Sequence, residues 1–178
     1  MNFMKFLKVP LRERIIKKAV QKRQKSSLSK RVDIANINEL IIVVDYNSTD
    51  EKMLDSCSKK LKEKFAATVN FILYAEHPAD ILHGYHLINR QDLNSSLEIK
   101  NEEILQLLSR KYSLALFFNP EHKQEIQYLA TQVQSDLIIG SEKYRIDLYD
   151  IIMYDGDAMN LRSFVDHSID LLLNISSS

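Results

Sequence analysis

NEEILQLLSRKYSLALFFNPEHKQEIQYLATQVQSDLIIGSEKYRIDLYDIIM, residues 101–153, decides the fold. Ile104, Leu107 and Leu108 mark one face of a helix, and LALFF at 114–118 is a continuous apolar run of the kind buried on both faces of a parallel sheet. Asn119-Pro120 sets a cap residue before a proline at the first helical position, where the missing N–H costs nothing. The next helix buries Ile126, Leu129, Ala130 and Val133, an i, i+3, i+4, i+7 set, and 137–139 is a short strand ended by Gly140. Residues 148–153 are interrupted by Asp150, which predicts an edge strand. Strand and helix alternate here as they do in a parallel α/β sheet.

The chain upstream repeats the pattern. LIIVV at 40–44 is a second β-branched run that stops at Asp45. Ser48 and Glu51 are spaced as a capping box for a helix with Leu54, Cys57, Leu61 and Phe65 on one face. A strand is expected over 69–74, ended by His77-Pro78, and a short third strand near 85–88. Residues 93–100 carry no clear pattern. Downstream, Asp155-Gly156 signals a turn and Asp157 is placed to cap a last helix with Leu161, Phe164, Val165 and Leu172 facing inward. These spacings require crossover connections. The predicted architecture is a three-layer α/β/α sandwich, Rossmann-like, with five or six mostly parallel strands.

Length and composition agree with one globular domain. At 178 residues the chain can bury one substantial core but not two ordinary ones. Its apolar content of 45% and charged content of 27% are those of a folded protein and speak against disorder. Cys57 is alone, which excludes an internal disulfide and fits a reducing, cytoplasmic setting. No apolar run approaches the roughly eighteen residues that cross a bilayer, and MNFMKFLKVPLRER at the start is too short and too charged for a secretory core.

The formal charge of zero hides an asymmetry. Residues 1–31 hold eleven Lys or Arg against one acid, Glu13, and the rest of the chain carries the balancing negative excess. A helix is expected from about residue 5 to 25, with Met4, Leu7, Leu11 and Ile15 in one stripe and Pro10 in a first turn. Lys18 and Lys22 fall back on that stripe, so the front buries better than the rear, and SSLSK at 26–30 reads as a linker. The division expected is a basic amphipathic helix and linker over 1–31 and a single α/β domain over 32–178. Lys5, Lys8, Arg12, Arg14, Lys17, Lys18, Lys22 and Arg23 are the candidate contacts to an anionic partner, whether membrane surface, protein or nucleic acid. Phe3 and Phe6 are the only rings in the segment, which tilts the reading away from base-stacking recognition of RNA. The plainer reading packs the front of the helix on its own domain and leaves the cations solvated.

Ligands of open parallel sheets sit outside the carboxyl ends of the strands, where strand order reverses. Asp45, Asn47, Ser48 and Thr49 after the first strand and Asn119 after LALFF are therefore the candidate pocket. The plainer reading is helix capping, which already accounts for Ser48 and Asn119. There is no G-x-G-x-x-G and no Walker loop, and Gly84, Gly140 and Gly156 lie far apart, so phosphate cradles of those types and a nucleotide cofactor are disfavoured. His77, His83 and His86, near Glu76 and Asp80, match no common metal-ligand spacing and read as surface histidines, so no metal is expected. Cys57 lies in phase with Leu54 and Leu61 and reads as core, not as a nucleophile. Asp147, Asp150, Asp155 and Asp157 read as solvated turn and edge residues before an acid/base pair.

The basic start, the strand ending VVDYN, KYSLALFFNP, YLATQVQSDLIIG and DLYDIIM together resemble a domain-of-unknown-function family of short bacterial proteins over nearly the whole chain. That resemblance implies a fold and no activity. Residues 112–152 also resemble the amino-terminal half of heptosyltransferase-type glycosyltransferases, over about forty residues. Such enzymes bind their nucleotide sugar mainly in a second Rossmann-like domain, for which this chain has no room, so the likeness supports the architecture and argues against transferase activity. The expectation is a non-enzymatic cytoplasmic protein, or one held at a membrane surface, whose basic helix meets a partner or an anionic surface. The alternative is a small ligand-binding module or enzyme with its pocket near Asp45 and Asn119.

Overall fold

The computed structural model describes residues 11–22, 36–77, 83–143, 145, 147–154 and 159–176. Six strands form one sheet: β1 (Glu39–Asp45), β2 (Thr68–Ala75), β3 (His86–Asn89), β4 (Lys111–Phe118), β5 (Gln134–Gly140) and β6 (Ile151–Ile152). Their order is β3-β2-β1-β4-β5-β6, and every neighbouring pair is parallel. The helices are α1 (residues 11–22), α2 (Glu51–Phe65), α3 (Glu102–Ser109), α4 (Gln124–Gln132) and α5 (Leu161–Ser176).

The two apolar runs become β1 and β4, adjacent at the centre of the sheet. Period-two alternation splits their side chains between two cores. Ile41, Val43, Ala115 and Phe117 meet α1, α3 and α4 on one face. Leu40, Ile42, Val44, Leu114, Leu116 and Phe118 meet α2 and α5 on the other. Both faces are apolar because both are covered, which is why neither strand shows a polar stripe. From β1 the chain steps one way through α2 to β2. Through α3 and α4 it steps the other way, and the covering helices change face, as right-handed crossovers demand.

Local chemistry departs from expectation at three helix starts. Asp50, not Ser48, caps α2 by accepting the Met53 N–H at 2.8 Å. Residues 46–48 are used instead in a 3-10 turn that Asp45 itself caps. Asn119-Pro120 does not begin a helix: α4 starts at Gln124, and His122 takes φ +56° in the intervening turn. Asn160 caps α5 through its bond from Ser163 N–H at 2.9 Å, while Asp157 lies outside the described residues. The stretch 93–100 folds back on itself through the Leu93 and Ile99 bridge.

The amino-terminal helix buries a different stripe from the one expected. Ile16 and Val20 enter the core, whereas Leu11 is 46% exposed and Ile15 half-buried. Arg12 pairs with Glu125, and Gln124 Nε2 donates to Glu13 Oε1 at 3.1 Å, so α1 is docked at the start of α4. Met4, Leu7 and Pro10 lie outside the described residues.

Candidate functional site

In a sheet of this order the strand connections diverge between β1 and β4, so the carboxyl ends of those strands flank the switch point. Asp45 ends β1 there. Its Oδ1 accepts the Asn47 N–H at 3.2 Å, which turns the chain out of the sheet. Asn119 follows β4 and is wholly buried, as Asp45 is.

The residue that joins the two carries no signal in the sequence. Lys123 donates from Nζ to Asp45 Oδ1 at 2.8 Å, and its side chain is 6% exposed. Asn119 holds the Lys123 backbone at both ends: Oδ1 accepts the N–H at 2.8 Å and Nδ2 donates to the C=O at 3.0 Å. The amide therefore does fix a helix start, but four residues further on than a cap would. Glu121 and Glu76 approach the same ammonium at 3.2 and 3.8 Å. The Tyr74 ring lies below it, 5.8 Å from Nζ to centroid.

Burial raises the Asp45 carboxyl above its ordinary value, and the bond from Lys123 only partly offsets this. For Lys123, burial works against the ammonium, but Asp45 and Glu121 prevail and hold its pKa above the usual lysine value. Asp45 Oδ2 and Thr49 Oγ1 are enclosed with no hydrogen-bond partner. Of the other expected pocket residues, Asn47 is exposed and Ser48 half-buried.

A second polar cluster lies where β5 ends. Glu142 is fully buried and accepts from Tyr149 Oη at 2.6 Å and from Gln127 Nε2 at 2.8 Å, with His122 Nδ1 at 3.3 Å. Arg145 bridges Gln127 to Asp147, bonding both carboxylate oxygens of Asp147 at 3.0 and 3.1 Å. Burial, reinforced by Glu142, pushes the Tyr149 phenol well up. Ser141 Oγ accepts the Asn119 N–H at 2.9 Å and links this cluster to the first. Glu142 and Tyr149 carry no sequence signal of this kind, since a carboxylate after a strand and a tyrosine in a loop are ordinary.

The remaining candidates sit apart. Cys57 is buried among α2 and sheet residues, and burial pushes its thiol up to about 11, away from the reactive thiolate. His86 Nδ1 meets Glu103 at 2.8 Å, and His77 and His83 are exposed. Asp150 is structural: its Oδ2 accepts the Ile138 N–H at 2.7 Å and its own N–H returns to Ile138 at 2.9 Å. Asp155 and Asp157 lie outside the described residues. Among the basic residues, Arg14, Lys17, Lys18 and Lys22 are exposed on α1, while Lys5, Lys8 and Arg23 fall outside the described residues.

A doubly wound, all-parallel sheet with this strand order, no glycine-rich phosphate loop, and a buried ion pair at its switch point defines a Rossmann-like α/β domain. The chain belongs to a family of unknown function (DUF6913), whose model matches residues 12–175. No curated protein matches it.

Proposed function

We propose that the protein is an association module rather than an enzyme, and that α1 presents a cationic ridge to an anionic surface. The observation that carries this reading is the division of charge around α1. Arg12, Ile16 and Val20 turn inward, and Arg14, Lys18 and Lys22 follow at i, i+4 and i+8 on the opposite side, with Lys17 beside them. All four outward cations are exposed and make no ion pair among the described residues. A ridge of exposed cations held on a packed helix attracts phosphate-bearing surfaces over roughly a Debye length, ~8–10 Å at physiological salt.

Anionic lipid is the occupant favoured. The ridge offers ammonium and guanidinium groups with no interleaved ring, which suits headgroups better than unstacked bases. Among the described residues no helix is long and apolar enough to cross a membrane. Ile16 and Val20 are committed to the core, so attachment would be electrostatic and peripheral.

Cosedimentation with vesicles tests this. Vesicles containing phosphatidylserine should retain the full chain at low salt and release it as ionic strength rises; pure phosphatidylcholine should not retain it. Arg14→Glu, Lys18→Glu and Lys22→Glu together should abolish retention while the melting temperature stays close to that of the parent. Equal retention on neutral lipid, or retention unchanged by the three reversals, would overturn the reading, as would binding only to duplex or single-stranded nucleic acid.

A further inference from the structure

We propose that Leu11 is an apolar anchor on α1, entering the boundary between headgroups and acyl chains while the cations around it hold anionic lipid. The anchor rests on the attachment to lipid proposed above, and it makes the site select a bilayer, which has an apolar layer beneath its charge, over a soluble polyanion. Leu11 is 46% exposed, and it stands on the cationic side of the helix. Leu11, Arg14, Lys18 and Lys22 recur at i, i+3, i+7 and i+11, a spacing that keeps side chains in one stripe, and all four are exposed. Arg14 lies roughly 5 Å and Lys18 roughly 10 Å along the axis from Leu11. Cations and anchor therefore meet one surface together.

Its surroundings separate Leu11 from an ordinary surface leucine. Single apolar side chains scattered over a surface need no explanation by themselves. The other large ones exposed among the described residues have a different setting: Leu105 follows the exposed Glu102 and Glu103 on α3, Leu173 and Ile175 follow the exposed Asp170 on α5, and Tyr154 lies under the Lys143 ammonium, 5.1 Å from Nζ to centroid. An anionic bilayer repels the acidic settings and attracts that of Leu11. Glu13, the single acid of α1, is half-buried and accepts from Gln124 Nε2 at 3.1 Å, so it does not stand on the stripe.

No rearrangement is required. Ile16 and Val20 keep the opposite stripe in the core, and the pairing of Arg12 with Glu125 fixes the helix to α4. Helices with a cationic face lie at membrane surfaces with an apolar strip ~5–10 Å into the headgroup boundary. A leucine at that depth adds affinity that salt does not screen, though too little to hold the protein without the cations. The long stems of Arg14, Lys18 and Lys22 let their charged heads stay level with the phosphates while Leu11 lies below them.

Leu11→Trp supplies the readout, since the chain has no tryptophan of its own. On vesicles of phosphatidylserine and phosphatidylcholine its emission should shift to the blue, and lipid brominated high in the acyl chain should quench it. Leu11→Ala should weaken retention of the full chain on the same vesicles about fivefold and move its release to lower salt, with the melting temperature close to that of the parent. Cosedimentation of the parent keeps the two failures apart. If the parent does not sediment with these vesicles, attachment to lipid falls and the anchor falls with it. If the parent sediments but the Leu11→Trp emission is neither shifted nor quenched, or Leu11→Ala is retained as firmly as the parent, the ridge binds by charge alone and only the anchor falls. Self-association without lipid that Leu11→Ala abolishes would assign Leu11 to a contact between copies and would also overturn the proposal.

Discussion

Lys123 and Asp45, 78 residues apart in sequence, meet at 2.8 Å in a place where neither is open to water. Breaking such a pair from one side leaves a buried charge uncompensated, which costs about 3–5 kcal/mol, whereas removing both charges is often neutral. Asp45→Asn is therefore expected to destabilise by about 3 kcal/mol in urea unfolding, with Glu121 and Glu76 still near the orphaned ammonium. Adding Lys123→Met to Asp45→Asn should restore most of the loss. A double variant as unstable as the sum of its singles would show that the two groups do not act as a pair.

Stability should fall steeply in alkali. The phenols of Tyr149, Tyr74, Tyr85, Tyr112 and Tyr128 and the thiol of Cys57 are all raised, chiefly by burial, so the folded state holds protons that the unfolded chain releases. A group raised in the fold contributes its full stability below its unfolded pKa and loses it as pH climbs through the folded value. For Cys57 that window runs from 9.0 to about 11, worth roughly 3 kcal/mol. Denaturation midpoints from pH 7 to 11 should stay level to about pH 9 and then drop, and Cys57→Ala should flatten part of the drop. A flat profile through pH 11 would contradict the burial assigned to these groups.

Gly140 faces the ring of Tyr149 so closely that an added Cβ would lie 2.4 Å from it. The ring cannot retreat freely, because its hydroxyl bonds Glu142 at 2.6 Å and it packs at a tilt on Phe117, with centroids 6.0 Å apart. Gly140→Ala should cost about 2–3 kcal/mol in thermal or urea unfolding. Gly140→Ala combined with Tyr149→Ala should cost less than the two losses added together, since the second change removes the ring carbons that the new Cβ would meet.

The stripe that α1 buries can be checked by two alanines. Ile16→Ala should destabilise by about 2–4 kcal/mol through the cavity it opens beneath the helix. The Leu11 side chain is 46% exposed. Leu11→Ala should therefore stay within about 0.5 kcal/mol of the parent. The reverse ranking would mean that the helix docks by the face read from sequence.

Much of the sheet is legible in the sequence because its signals are local. A strand covered on both faces needs an unbroken apolar run, and LIIVV and LALFF each supply one. Period 3.6 on α3 and α4 survives in Ile104, Leu107 and Leu108 and in Ile126, Leu129 and Ala130, all of which are buried. Helix starts are less legible, because several polar residues near each start could serve as a cap, and the turn geometry selects Asp50 over Ser48 for α2 and brings Asn160 to the start of α5. The α1 stripe read from sequence is out of phase because it includes residues 4–11, whose apolar side chains pull it away from Ile16 and Val20.

The sequence by itself determined that this chain builds one parallel α/β sheet with helices on both faces, since apolar periodicity is a property of neighbours along the chain. It also pointed to Asp45 and Asn119 as ends of central strands. Only the tertiary structure decided what lies between them. The ammonium of Lys123 comes from the turn before α4, and the crossover through β2, β3 and α3 brings that turn over Asp45. A lysine a few residues after a strand looks like any surface lysine until the sheet closes water away from it.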